Sequence, residues 1–399
     1  MVVLEALNAL AGDCLLLRYP GPDGKERLWI VDGGPRRDAG KGINVWSDVL
    51  LPRLKEINPN PRLPVALGMV SHIDDDHING IQKLTDKLRG ATAVNPADVE
   101  FARFWFNSFD KLVGPPPAGA AVDASPASLQ SLVAPKNLPG VDDEHATMVM
   151  QSVAQGNALA SDLRALHLEG NKPVNGFVSA KPGQKKYKIE GADVTVLGPV
   201  QRRLDKLREE WAKALKKTTK EARQAALQEL FVPKSKEDKS VPNLSSIVVL
   251  VETDGRRLLL TGDAHGDDIV EAWKELGLGN QPAKLDLVKM PHHGSIRNCT
   301  KPFVEFFVAD HYVFSADGKH DNPDAPTVEA VVKFHGARPM TVHFTNDDVA
   351  WSKAYELEKG GEKVRNLKEL IAELHAAYPG PWHDNFRKAA DKSVVVTLP

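Results

Sequence analysis

Cysteine is nearly absent. Cys14 and Cys299 are the only two in 399 residues, and neither belongs to a CxxC pair. That excludes a cysteine zinc cluster by spacing, and Cys14, inside an apolar run, reads as a buried thiol. A chain so poor in cysteine suits a reducing cytosol, and the cytoplasm is the expected location. No stretch of about 18 apolar residues occurs, so no membrane span is expected. The N-terminus has no basic start and carries Glu5 and Asp13 where a signal peptide would be apolar. Net charge is only −2. The molecule as a whole is therefore no electrostatic attractor for nucleic acid, and any basic footprint must be local.

What is present is a soluble-protein composition, 42% hydrophobic and 26% charged, in a chain long enough to bury a large core without disulfides. The length allows two or three domains, or one large α/β unit with insertions. Residues 13–19 and 28–32 are short apolar runs separated by Gly21, Pro22, Asp23 and Gly24, a β-hairpin pattern. Residues 46–57 have helical spacing with Ser47 as the candidate N-cap. Residues 65–71 read as a buried strand and 78–89 as a helix. The stretch 100–180, with its GPPPAGAAVDASPAS loop, reads as an insertion. Strands are expected at 192–198, 246–252, 257–262, 285–290, 312–315 and 341–346, with helices at 268–276 and 326–335 and a closing VVVTL strand. Residues 201–231 are helical in period. From Arg202 to Lys239 there are 12 Lys/Arg against 7 Asp/Glu, which fits a solvated amphipathic helix or an arm that tracks phosphates.

The chemistry concentrates in Ser71-His72-Ile73-Asp74-Asp75-Asp76-His77. A loop that follows a buried strand and precedes a helix points its side chains into the cleft at the carboxyl ends of strands. His72 and Asp74 alternate, so an extended backbone turns both to one side. Asp76 and His77 follow where the chain turns, so one short loop can serve two ions. Imidazole with carboxylate suits zinc, manganese or iron. Asp263 ends the apolar run RLLLTGD, where Gly262 allows the carboxylate to reach the same cleft. His292 and His293 follow the strand LDLVKM.

His72-x-Asp74-x-Asp76-His77 resembles the HxHxDH signature of metallo-β-lactamase-fold hydrolases, with Asp for the second His. The HxDxDH variant is similar to the hydrolase domain of ComEC-type DNA-uptake proteins and their stand-alone relatives. Gly12-Asp13-Cys14 with Val31-Asp32-Gly33-Gly34, then Leu260-Thr261-Gly262-Asp263 and Pro291-His292-His293-Gly294-Ser295, fall in that family's order. The resemblance implies an αββα four-layer sandwich with helical insertions at about 100–180 and 201–239. It places a hydrolase domain over 1–350 and leaves 351–399 as a C-terminal extension on the same domain. It further implies two divalent ions, Zn²⁺ or Mn²⁺: His72, Asp74 and Asp263 at the first, and Asp76, His77, Asp263 and one of His292/His293 at the second. Asp32 would orient a ligand.

Two departures stand out. The family's additional histidine for the first metal is missing, and Asn243 stands in that region as a candidate ligand through its amide oxygen. The Gly-His-Pro segment of the ComEC type is replaced by residues 318–323, with Asn322 in the His position and His320 two residues earlier. Ser295, Lys319, His320 and Asn322 are the candidate substrate contacts, with Lys319 or His320 stabilising or protonating a leaving oxygen. The other eight histidines read as structural. The expected activity is metal-dependent phosphodiester hydrolysis, with DNA as substrate, in which Asp76, His77 and Asp263 are essential. Two alternatives stay open: an esterase or small-molecule hydrolase for cyclic-nucleotide or phosphorylcholine-like substrates, and a weakly active regulatory partner in a multi-protein assembly.

Overall fold

The computed structural model describes residues 1–36, 42–94, 96–108, 111–112, 143–216, 243, 245–351 and 366–399. The basic stretch beyond 216, and most of 100–142, lie outside them.

The strands are β1 (Val2–Leu7), β2 (Leu15–Pro20), β3 (Glu26–Val31), β4 (Leu63–Val65), β5 (Leu67–Met69), β6 (Val99–Phe101), β7 (Phe104–Trp105), β8 (Tyr187–Ile189), β9 (Ala192–Gly198), β10 (Val248–Thr253), β11 (Arg256–Leu260), β12 (Ala283–Lys289), β13 (Phe307–Phe314), β14 (Met340–Phe344), β15 (Trp382–Phe386) and β16 (Ser393–Leu398). The α-helices are α1 (Leu51–Ile57), α2 (Asp75–Arg89), α3 (Asp143–Ala165), α4 (Gln201–Leu215), α5 (Gly266–Glu275), α6 (Lys301–Phe306), α7 (Ala325–His335) and α8 (Leu367–Ala377).

These strands form two main sheets, ordered β16-β1-β2-β3-β5-β7 and β15-β14-β13-β12-β11-β10-β9-β8, and β4 pairs with β6 beside them. Period-two alternation explains why the sheets face each other. Leu15, Leu17 and Trp29 from the first sheet share a core with Val249, Val251, Leu258, Leu260 and Val313 from the second. The alternate residues point outward. Leu16, Leu28 and Ile30 pack under Ile78, Ile81 and Leu84 of α2, Leu159 of α3 and Leu204 of α4. Leu250, Leu259 and Phe314 pack under α5, α6, α7 and α8 through residues such as Trp273, Phe303, Val331 and Leu370. The molecule is thus a mixed α/β fold of helix, sheet, sheet and helix layers.

Several local expectations are corrected. Ser47 is not the cap of the first helical segment: Asn44 caps a π-helical turn at Val45–Leu50, its side chain accepting the Ser47 N–H at 3.2 Å. Helix α2 begins at Asp75 rather than residue 78, because Asp74 is already extended and takes the N-cap position. The 65–71 run breaks into β4 and β5. Strands β1 and β15 carry no clear period-two signal, being buried or irregular throughout, and the pattern missed both. Glu5, in β1, is fully buried between Arg18 and Arg53, with Ser393 also donating to it. Among the described residues, no helix is long and apolar enough to cross a membrane.

Candidate metal centre

Strands β3, β5 and β7 are parallel neighbours, as are β11 through β15. Their carboxyl ends carry Asp32, the His72–His77 loop, Asp263, the His292–His293 turn and Ser315. A parallel sheet leaves such an edge free for chemistry.

Asp263 is the hub. Its Oδ1 lies 3.3 Å from His77 Nε2, and its Oδ2 lies 3.4 Å from His293 Nε2, 3.6 Å from His292 Nε2 and 3.9 Å from His72 Nε2. Asp76 Oδ2 is 3.3 Å from His293 Nε2 and 3.9 Å from His77 Nε2, and Asp74 Oδ2 is 3.5 Å from His72 Nε2. Two groups emerge around one carboxylate: His72, Asp74 and His292 on one side, His77, Asp76 and His293 on the other.

The far nitrogen of each ring identifies the tautomer. His77 Nδ1 donates to Asp32 Oδ2 at 2.9 Å, and His293 Nδ1 donates to the Ser315 carbonyl at 2.9 Å. The Asn298 amide is oriented because its Nδ2 donates to the Asp263 carbonyl, so its Oδ1 accepts from His292 Nδ1 at 2.8 Å. Ser71 Oγ donates to Asp32 Oδ2 and therefore accepts from His72 Nδ1 at 3.0 Å. In the neutral rings every Nε2 then presents a lone pair to the cluster. The buried atoms His72 Nε2, His77 Nε2, His293 Nε2 and Asp263 Oδ1 have no hydrogen-bond partner. Buried polar atoms are otherwise almost always satisfied. This donor set fits divalent metal ions.

Without an ion, the carboxylates and the rings hold one another in their charged forms, protons standing where metal ions would bind. Burial pushes Asp263 up, but the charges of His293, His77 and His292 outweigh it and hold its carboxyl well below the usual range. Asp76 is lowered in the same way by His77 and His293 against burial. Burial pushes His77 and His293 down, but Asp263 and other carboxylates raise both well above an ordinary histidine. Asp74 is pushed up by loss of solvation, which His72 offsets in part.

Left-handed backbone occurs at the centre too. Asp32, His292 and His293 adopt left-handed φ of 59°, 45° and 55°, a conformation that non-glycine residues hold only when their surroundings over-determine it.

Of the other candidates, Asn243 is buried with Nδ2 3.4 Å from His292 Nδ1, beside the ring rather than at its Nε2. Ser295 is buried, and its hydroxyl accepts from Arg297 N, so it shapes the turn. Asn322 is buried and its carbonyl accepts from Gly318 N. Lys319 and His320 are exposed in the turn Lys319–Asp321. The described start of the basic stretch is engaged in packing, since Arg202 and Arg203 pair with Asp268, and Arg202 also with Glu271.

Besides Ser71 and Ser315, which orient rings, three further residues of the centre escaped the sequence reading. Asp13 lies with His77, Asp263 and His293 in one buried cluster. Lys289, fully buried, is ion-paired to Asp13. Asn298 orients His292. The signal for Lys289 was visible: a lysine inside an apolar strand leading directly to two histidines. For Asn298 there was none.

No protein-family model and no curated protein matches the chain. Among solved structures it is similar to CmlA, a diiron β-hydroxylase from Streptomyces venezuelae, with TM-score 0.40 and 11% identity. It is likewise similar to a variant of the β-hydroxylase CmlA, with TM-score 0.39 and 12% identity. Each alignment covers 100% of this chain and 54% of the other, so the chain spans about half the length of these neighbours. At that level of likeness the functional reading rests on the side chains themselves.

Proposed function

We propose that this chain is a hydrolase of the metallo-β-lactamase fold, similar to the ComEC type, with a centre for two divalent ions and a phosphodiester substrate, DNA first among them. The observation that carries the reading is the convergence of four imidazole Nε2 atoms and three carboxylates on one buried point, with the far side of every ring tied down.

His72, Asp74 and His292 would hold one ion and His77, Asp76 and His293 the other, with Asp263 shared between them. On this assignment both members of the His292-His293 pair are ligands, and His292 makes good the histidine missing at Asn243. Ions held there would supply Lewis acidity and lower the pKa of water, the chemistry of metal-assisted ester hydrolysis. The chain's own residues do the positioning. Asp32 fixes the His77 ring and, through Ser71, that of His72, and it also accepts the Ser71 N–H at 2.7 Å. The Ser315 carbonyl and Asn298 do the same for His293 and His292. Lys319 and His320, exposed beyond Ser315, are proposed to meet the phosphate and to give a proton to the departing oxygen. The oxygen-rich motif and these exposed basic side chains support a phosphodiester.

A small-molecule ester is a second reading. It is favoured by α3, which borders the metal loop: Gln155 Nε2 donates to Asp75 Oδ1 at 2.6 Å. The deciding experiment is hydrolysis of end-labelled single- and double-stranded DNA with Mn²⁺, Mg²⁺ or Zn²⁺, comparing wild type with Asp263→Ala. Cleavage that needs metal and vanishes in the variant is expected. Metal uptake without any cleavage would overturn the nuclease reading in favour of the smaller ester.

A further inference from the structure

Lys289 ends β12 at 0% exposure, in a strand whose neighbours Leu287 and Val288 are core residues. Its ammonium pairs with Asp13, and lies 3.4 Å from the Gly262 carbonyl and 3.9 Å from Asp263 Oδ1. Asp13, 1% exposed, comes from the turn between β1 and β2. The pair therefore joins the two sheets directly beneath the cluster. Asp13 also stands 3.5 Å from His293 Nδ1 and 3.8 Å from His77 Nδ1. Those are the ring nitrogens turned away from Asp263, so Asp13 backs the imidazoles and is not placed as a ligand to an ion at their Nε2 atoms.

A buried ion pair is weak grounds for stability, since a well-packed apolar pair of the same volume often does as well. Its position against the centre suggests a different use. Asp13, Asp32, Asp74, Asp76 and Asp263 crowd one region. Five carboxylates against one lysine leave four negative charges, which two divalent ions match when the histidines are neutral. Bringing one sheet's carboxylates up to Asp263 of the other is opposed by repulsion at short range, and Lys289 still offsets it when bound ions leave the histidines neutral.

We infer that Lys289 is a positioning residue for the centre: a resident cation that clamps the two sheets through Asp13 and sets how much positive charge the metals must bring. The inference rests on the metal-centre reading and says what tunes it. It follows that the two partners act on metal affinity with opposite signs. Removing the lysine charge leaves a surplus negative charge and tightens metal binding; removing the Asp13 charge leaves a surplus positive charge and weakens it; removing both restores the balance.

The test is calorimetric titration of metal-stripped full-length protein with Mn²⁺, for wild type, Asp13→Asn, Lys289→Met and the double variant. Asp13→Asn should bind roughly 10–100-fold more weakly, the range typical of residues that support metal ligands. Lys289→Met should bind more tightly than wild type, and the double variant should return to within a few-fold of it. Both single variants weakening binding, or a double variant no better than Asp13→Asn, would overturn the inference and leave Lys289 a structural residue. If Lys289→Met does not fold without metal, the comparison of Asp13→Asn with the double variant decides alone. Wild type taking up neither Mn²⁺ nor Zn²⁺ would overturn the metal-centre reading itself, and this inference with it.

Discussion

Each clustered imidazole is useful because a partner occupies its far nitrogen, and the same accounting applied elsewhere yields a titration. His343 accepts from Asn385 Nδ2 at its Nδ1 (3.0 Å) and meets His311 Nδ1 through Nε2 (3.0 Å). Burial, with the His311 charge adding to it, lowers its pKa to about 3. An unfolded histidine takes its proton near pH 6.5. Between those values the unfolded chain binds more protons, so stability falls as pH drops from about 6.5 towards 3, by about 2 kcal/mol at pH 5. His77 and His293, whose pKa values are raised, act in the opposite sense: their contribution is present at low pH and is lost as pH rises through the raised values. The comparison must therefore isolate one group. Urea midpoints of metal-free wild type and His343→Gln should diverge between pH 7 and 5, the wild type losing more. Parallel declines would show that His343 does not titrate as described.

At the scale of elements, the metal loop is held by backbone contact as well as by side chains. The Asp13 and Gly33 amides donate to the carbonyls of Asp76 and His77 at 3.1 and 2.6 Å. A Cβ on Gly80 would stand 2.1 Å from the Gly33 carbonyl oxygen. An alanine would favour a helix interior by about 1 kcal/mol, but here the obstacle is backbone, which cannot rotate away. Gly80→Ala should therefore destabilise the protein, by about 1–3 kcal/mol as overpacked sites do, and should weaken metal uptake because α2 carries Asp76 and His77. A raised melting temperature would show that propensity wins and that the approach is not tight.

At the scale of the whole molecule, the centre lies where strand ends of the two sheets meet. The first sheet brings Asp32, His72, Asp74, Asp76 and His77; the second brings Asp263, His292 and His293. An ion bound across that seam belongs to the folded state alone, so it must stabilise folding by mass action. Mn²⁺ or Zn²⁺ at about a hundred times its Kd should add about 2.7 kcal/mol, seen as a melting temperature that rises with metal concentration and falls back with chelator. Asp263→Ala should abolish the rise. A rise of equal size in that variant would place the bound metal elsewhere.

Sequence alone determined the kinds of residue at the centre and their order along the chain. An HxDxDH loop after an apolar run, an Asp at a strand end and a His pair after another strand are local patterns, set by backbone periodicity and ligand chemistry, and the structure brings them together. The mixed α/β character was legible for the same reason: alternation and helical spacing are properties of neighbours in sequence. Which imidazole faces which carboxylate was not. His292 and His293 are adjacent, and only the left-handed turn that holds them, with Asn298 and Ser315 behind, directs both rings to Asp263. Nor could spacing disclose the pair of Asp13 with Lys289, far apart in the chain, because an ion pair between sheets exists only once the sheets have packed. Strand β1 was hidden because burial on both faces removes the alternation that marks a strand, and β15 because its polar, mostly half-buried run carries none; only pairing with a neighbour defines either.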